Sequence, residues 1–443
     1  MSARAAAPSA GARSWLAGQG RLPLAFMGLA LAWLVAATGM LVLAPELLLL
    51  PHVHPHVVAL THAWILGFFV TVACGAVYQL APVALGTTLA SERYGWWHFG
   101  LHAVGVPGMV YSFWQWDLRL LGHFGFAVGL GLTLFAVNSW RTVRRSARRG
   151  TVAWSLSLAA SWLLLTVLAG LLLAANRFWS FIPLNPVFLL RAHAHLGLIG
   201  FFVTLLQGVA FQLVPMFTLG AVRDWRLANA GLGCSQAGLV VLTPALAWHV
   251  ELLACIAATA IAAGMTCSAI GITRALANRR KRALDPGVQA FLRGGMGLCL
   301  AALAGVILLV PHTPWGSAAG GFNAMIYALI AIAGGLLPCV AGMLCKIVPF
   351  LTWMRAYGPR VGRGGVPSAG ALTNPRLETW GLGLQHAAVL PLLVGAWSLQ
   401  VWWVRFGTWL FAAGVLLFSW DMLGVLKHLR AQPAPAATAA PKS

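Results

Sequence analysis

The chain has 443 residues, of which 60% are hydrophobic and only 8% are charged, and its mean hydropathy is +0.82. This composition excludes a soluble globular protein and is typical of a protein embedded in a bilayer. The formal net charge is +21, but the basic residues lie in short loops between apolar runs. That placement follows the positive-inside rule, so nucleic-acid binding is excluded as a function class.

Apolar runs of roughly 20 residues, the length that crosses a bilayer, recur along the whole chain and predict an all-α polytopic membrane protein of about 12 transmembrane helices. We expect no cleavable signal, so the first run is predicted to be retained. The segments 1–21 and 431–443 are predicted to be disordered tails. The predicted spans are 23–49, 57–82, 98–114, 120–139, 152–174, 191–217, 229–247, 250–272, 289–310, 322–350, 380–399 and 402–426.

Arginine and lysine residues predict the orientation. Basic clusters precede the first span and follow the fourth, eighth, tenth and last spans. All these clusters fall on one side if both termini are cytoplasmic, which predicts a protein of the bacterial inner membrane with that orientation. The two densest basic loops, near residues 145 and 280, divide the chain into three helix quartets, 22–145, 146–282 and 283–430.

One apolar sequence occurs twice. HAWILGFFVTVACGAVYQLAP begins at His62, and HLGLIGFFVTLLQGVAFQLVP begins at His195, 133 residues later. A fainter third copy ends at Pro349 and has Lys346 where the first two have glutamine. Self-similarity at a fixed period indicates equivalent structural units. The second, sixth and tenth helices are therefore predicted to be related by a pseudo-threefold axis along the membrane normal.

His62 and His195 occupy matching places near the outer ends of their helices. Histidine within an apolar span is costly unless it has a partner, and neutral imidazole is a common metal ligand. We therefore predict that both bind haem or a metal, with hydrogen bonding to loop carbonyls as the alternative. His193 lies about 200° around the helix from His195. It is predicted to serve a neighbouring cofactor or metal site, or to support one through a hydrogen bond.

Two other groups of histidines are candidate sites. His52, His54 and His56 alternate with other residues, so an extended segment would place all three on one edge. Such tracts can bind copper or zinc, and a solvated loop is the alternative. His98 and His102 share a helix face, but no third ligand accompanies them, so we predict a structural role.

The third copy of the repeat has no histidine. A shift of 134 residues places Leu329 opposite His195 and Tyr327 opposite His193. Tyr327 is predicted to be a core residue, with hydrogen bonding or weak ligation as alternatives. Lys346 is predicted to extend its amine toward the membrane surface, with a proton path as the alternative.

Arg191 and Arg405 lie on the predicted outer side. Their guanidinium groups can pair with the propionates of a haem. Anchoring at the membrane interface is the alternative for both residues.

Together these features resemble subunit I of the haem-copper oxidase superfamily. The run RAHAHLGLIGFF, residues 191–202, is similar to divergent C-family-like oxidases, and the NnrS membrane proteins resemble the chain in architecture. The resemblance implies that His62 ligates a low-spin haem, that His193 or His195 binds copper, and that Arg405 pairs with a propionate.

The chain departs from that family at several positions. The histidine pair of the seventh helix is missing, with only His249 nearby, and so is the H-x-H of the tenth helix. Gly197 and Ile199 stand where the sixth helix would carry tyrosine. A complete oxygen-reducing centre is therefore not expected, because the high-spin haem would lack its proximal ligand.

We therefore predict a haem- and/or copper-binding membrane protein with a role in electron transfer, the nitric oxide response, or copper and oxidase metabolism. As an enzyme it would be an oxidoreductase resembling subunit I of cytochrome c oxidase or nitric oxide reductase. The alternative is a transporter or channel for a soft metal ion or small molecule. A third hypothesis is a cofactor-free partner of respiratory or maturation subunits in the bilayer.

Overall fold

A computed structural model describes residues 20–310, 320–361 and 365–430. The predicted disordered tails lie outside the described residues, except for residue 20 in the N-terminal tail and Arg21, which begins the first helix; residues 431–443 are all outside them. The described part of the chain contains twelve long helices and no strand. They are α1 Arg21–Leu43, α2 Pro55–Leu85, α3 Glu92–Gln115, α4 Leu118–Arg145, α5 Thr151–Trp179, α6 Pro186–Thr218, α7 Arg226–Ala247, α8 Glu251–Ala277, α9 Pro286–Leu309, α10 320–357, α11 Pro375–Ser398 and α12 Val401–Lys427.

Eleven helices of the described residues are long and apolar enough to cross a membrane, which confirms the predicted class of integral membrane protein. Helix α3 has 24 residues but is not one of the eleven. Its tryptophan, histidine, glycine and proline residues reduce its hydropathy. It nevertheless packs between α2 and α4 and completes the series of twelve.

Two predicted spans are interrupted at proline. The first ends as an α-helix at Leu43, and a 3₁₀ turn, Pro45–Leu49, follows it. Helix α11 consists of Pro375–Ala387 and Val389–Ser398. Pro391 has no N–H to donate to the preceding turn, which accounts for the break.

Three helices contain π-helical segments of eight residues. These are Ala63–Val70 in α2, Leu196–Val203 in α6 and Leu329–Leu336 in α10. Each segment begins 133 residues after the one before it. His62 and His195 directly precede the first two segments, and Ala328 precedes the third. The expected pairing of His195 with Leu329 is therefore wrong by one residue, because the extra residue of the third copy lies after its π-helix.

Each π-helix packs closely on the helix that precedes it in the chain. The ring of Trp33 in α1 covers Gly67, and the ring of Trp162 in α5 covers Gly200. A Cβ atom added to Gly200 would lie only 2.7 Å from Cβ of Trp162. These contacts fix the rotation of α2 and α6 about their axes, and with it the direction of the histidines one turn earlier.

Lys346 was predicted to extend its amine toward the membrane surface, and in the structure the amine forms an ion pair with Asp285. Its Nζ lies 2.6 Å from Oδ2 of Asp285, at the start of α9, and Lys281 Nζ lies 2.7 Å from Oδ1. Burial alone would raise the pKa of Asp285, but the hydrogen bonds and charges of Lys281 and Lys346 hold it below its usual value. The ionised carboxylate therefore joins the α8–α9 loop to α10.

We expect this carboxylate to stabilise the fold at neutral pH and to lose its effect in acid. Because the folded-state pKa is lowered, the contribution is present above the unfolded pKa of about 3.9 and is lost as pH falls through the folded value. Thermal unfolding of the wild type and Asp285→Asn measures this. The difference in Tm should be constant above about pH 5 and shrink below about pH 4. A pH-independent difference would contradict the ion-pair explanation.

Candidate functional site

His62 and His195 have the same local geometry. The Nδ1 atom of each lies 2.8 Å from the carbonyl oxygen four residues earlier, Val58 for His62 and Arg191 for His195. A carbonyl only accepts, so Nδ1 carries the hydrogen and donates it. In the neutral imidazole Nε2 is then the nitrogen with the free lone pair. This arrangement orients the ring in the same way that carbonyls orient metal-ligating histidines.

His195 lines a cavity of about 160 Å³ between α6, α7, α8, α9 and α10. The polar side chains on its wall are Arg191, His195, Asn323 and Tyr327. The remaining wall is apolar and includes Leu242 and Leu246 of α7, Ile261 and Met265 of α8, and Leu298 and Leu309 of α9. A mostly apolar cavity with a few polar groups at one place is the usual form of a ligand site.

Tyr327 is the direct partner of His195. Its hydroxyl lies 3.3 Å from His195 Nε2, and the two rings are stacked with centroids 5.7 Å apart. Since Nδ1 of His195 is the donor to its own helix, the tyrosine hydroxyl donates to Nε2. Of the three roles considered for Tyr327 (core residue, hydrogen bonding and weak ligation), the structure shows a hydrogen bond to His195.

His62 and His193 lie together, away from the cavity wall. Their imidazoles interact electrostatically, and the His62 ring lies 4.5 Å from the ring of Phe113. His193 bonds to the backbone of Thr166 in α5, and its Nδ1 is buried without a partner among the described residues. His193 and His195 thus face different helices, as their spacing predicts.

The histidines before α2 have structural contacts. His54 is the N-cap of α2, and its Nδ1 accepts a hydrogen bond from the backbone N–H of His56 at 3.3 Å. The His56 ring stacks on Trp114 with centroids 4.2 Å apart. His52 lies in the turn before the helix. Across the described residues, no group of three or more His, Cys, Asp or Glu side chains could hold a metal ion.

His98 and His102 are fully buried, and each is hydrogen-bonded through one ring nitrogen, whereas His98 Nε2 and His102 Nδ1 have no partner among the described residues. His98 Nδ1 lies 2.9 Å from the Tyr78 hydroxyl. His102 Nε2 donates to the carbonyl of Leu66 at 3.1 Å and lies 2.8 Å from Thr71 Oγ1. In α6 the matching Thr204 accepts a hydrogen bond from Gln236 at 2.8 Å. These contacts hold α3 and α7 to the π-helices, in agreement with the predicted structural role.

The two candidate arginines are placed differently. Arg191 lies on the cavity wall one turn before His195, with its guanidinium 5.8 Å from the ring centre of Phe188. Arg405 is exposed in the first turns of α12 and is not part of the cavity wall. Only Arg191 is therefore brought to the candidate site.

The side chains of the cavity could supply one axial ligand of a haem. The cavity itself, however, is too small for the whole macrocycle. His195 presents an oriented imidazole, and Arg191 supplies a positive charge for a propionate. The volume of about 160 Å³ is smaller than the 300–1,000 Å³ of typical ligand pockets. A bound macrocycle would therefore require the surrounding helices to separate.

No known protein-family model matches this chain, and a search of curated proteins also found no match.

Proposed function

We propose that this integral membrane protein binds haem at the cavity next to His195, on a helical body related to subunit I of the haem-copper oxidases. The observation that carries the proposal is the geometry of His195. Its Nδ1 is fixed by the Arg191 carbonyl, and its Nε2 faces a hydroxyl on the wall of an apolar cavity. The resemblance implies that His62 ligates a haem, but its ring does not line this cavity, so we place His195 first.

The architectural part of the proposal rests on the three π-helices. Their equal length and constant spacing support three units related by a pseudo-threefold axis. π-helical segments occur frequently at functional sites. The unit that contains α10 has Ala328 in the place of the histidines, so it supplies Tyr327 rather than an imidazole.

Haem bound here would supply one-electron chemistry. His195 would hold it, Arg191 would neutralise a propionate, and the leucines and Met265 would keep water out of the cavity. Tyr327 would release Nε2 and remain a hydrogen-bond donor beside it. Copper is the second candidate, and it is less well supported because a copper site usually needs three or four ligands.

The proposed roles are electron transfer, the nitric oxide response, or copper and oxidase metabolism. The test is an optical spectrum of the purified protein with and without dithionite, with iron and copper analysis of the same sample. We expect a Soret band that shifts on reduction and about one iron per chain. Copper without a Soret band would move the assignment to a copper site. Neither metal in protein produced with haem and copper available would contradict the proposal.

A further inference from the structure

Three of the eight acidic residues of the chain lie close together around Lys346. Asp285 begins α9, Glu378 lies in the first turn of α11, and Asp421 lies near the end of α12. Glu378 is 3% exposed and Asp421 is 5% exposed. The other five acids are exposed or partly exposed: Glu46, Glu92, Asp117, Asp224 and Glu251. The buried pair is thus a distinct feature of this end of the bundle.

The lysines nearby are engaged by Asp285. Lys346 and Lys281 both lie within 2.7 Å of its carboxylate. Glu378 interacts with Lys346, Asp421 and Asp285 only at longer range, and within the described ranges no basic side chain lies within 4 Å of Glu378 or Asp421. The thiol of Cys345 in α10, 2% exposed, is the remaining titratable group that interacts with the pair.

Each buried carboxyl group has an oxygen without a hydrogen-bond donor. Oδ1 of Asp421 accepts the backbone N–H of Asn374 at 2.8 Å, but Oδ2 is buried with no partner among the described residues. Oε1 of Glu378 is likewise buried without a partner among the described residues. A buried carboxylate with an unsatisfied oxygen is costly, and a proton removes most of that cost.

The charge balance of these groups also favours a bound proton. With all five groups ionised, the two lysines and three carboxylates sum to one negative charge, which a single bound cation would neutralise. A metal ion needs several oxygen ligands at once, and the described residues contain no group of three or more His, Cys, Asp or Glu side chains that could hold one. A proton needs only one of the two unpartnered oxygens.

We propose that Glu378 and Asp421 form a proton-binding site that holds one proton at neutral pH and exchanges it with water at the end of the bundle where the α8–α9 loop lies. The proton adds to a carboxylate oxygen of the pair and leaves from it to water, with no other bond formed or broken. Ionisable residues inside membrane proteins commonly form proton relays. The site does not depend on a bound cofactor.

The infrared C=O stretch of a carboxylic acid tests this, because only a protonated carboxyl group absorbs there. The sample is the full chain in a detergent without ester or acid groups. We expect a carboxylic acid band at pH 7 that shifts in D₂O and disappears at alkaline pH. Wild-type protein without that band at pH 7 would overturn the proposal whatever the variants do.

Variants locate the proton. Since the proton is held by the pair, the double variant Glu378→Gln with Asp421→Asn should abolish the band, and each single variant should shift or weaken it. The matched controls Glu92→Gln and Asp224→Asn change exposed acids and should leave it unchanged. A band that survives both buried substitutions would overturn the assignment to this pair. Gel filtration of each variant shows whether it is folded, and the wild-type spectrum decides the question where a variant is not.

Discussion

Replacing His195 with alanine is expected to abolish the Soret band and reduce bound iron at least tenfold. Among the described residues, His195 carries the one imidazole on the wall of the cavity, and the alanine removes it. The bond from Nδ1 to the Arg191 carbonyl also disappears, but the helix retains its own hydrogen bonds. The loss should therefore appear in the spectrum and the metal content while the protein remains folded.

Two matched variants separate ligation from other effects. His62→Ala removes a histidine with the same backbone hydrogen bond but no contact with the cavity, so the spectrum should persist. Tyr327→Phe removes the hydroxyl that donates to His195 Nε2, so iron binding should be unchanged or tighter. Loss of the band in His62→Ala, with the band intact in His195→Ala, would return the axial role to His62 and contradict the cavity assignment.

The helices could be predicted from the sequence because their cause is local. Runs of apolar residues about 20 long must span a bilayer as helices, since the backbone has no other partner there. The same property limits the prediction. HAWILGFFV has an apolar pattern that fits an α-helix and a π-helix equally, so the π-helix at Ala63–Val70 was not foreseen.

The histidine of the candidate site could be predicted only because it occurs in the repeated sequence. The repeated sequence identified His62 and His195, but it could not show which of the two lines the cavity between α6 and α10. Tyr327 was aligned with His193, whereas it contacts His195. Its ring reaches a residue 132 positions away, and that contact depends on how α6 and α10 pack.

The acidic pair left a signal in the sequence that was not used. Glu378 and Asp421 are acids within or beside predicted apolar spans, and such residues are functional candidates by default. The proximity of Glu378 and Asp421 could not be predicted from the sequence, because it requires the start of α11 and the end of α12 to lie side by side. The pairing of Lys346 with Asp285, 61 positions apart, required the packing of α9 on α10 in the same way.

The second large effect concerns the contact between α7 and α8, which form one wall of the cavity. Between helices in lipid there is little hydrophobic driving force, so small residues that allow close approach hold them together. Gly231 of α7 faces Gly264 and Ser268 of α8, and Gln207 of α6 donates to the hydroxyls of Ser235 and Ser268 at 3.0 Å each. Any side chain at Gly231 must therefore push the two backbones apart.

Gly231→Ala is expected to destabilise the protein by about 1–3 kcal/mol, the usual cost of overpacking. A Cβ atom there would lie 2.8 Å from the carbonyl oxygen of Gly264 and 3.1 Å from the backbone nitrogen of Ser268, and neither can rotate away. Gly233→Ala on the same helix is the control. Nothing lies within 4 Å of its Cβ position, so alanine should leave stability unchanged or raise it by up to about 1 kcal/mol.

Unfolding of the two variants in one detergent measures the difference. The double variant Gly231→Ala with Ser268→Gly removes the Ser268 hydroxyl but keeps the backbone of α8. If backbone contact sets the spacing, the double variant should be no more stable than Gly231→Ala, and it should also lose the hydrogen bond from Gln207 to the Ser268 hydroxyl. Recovery of wild-type stability would mean that the serine side chain alone was the obstacle.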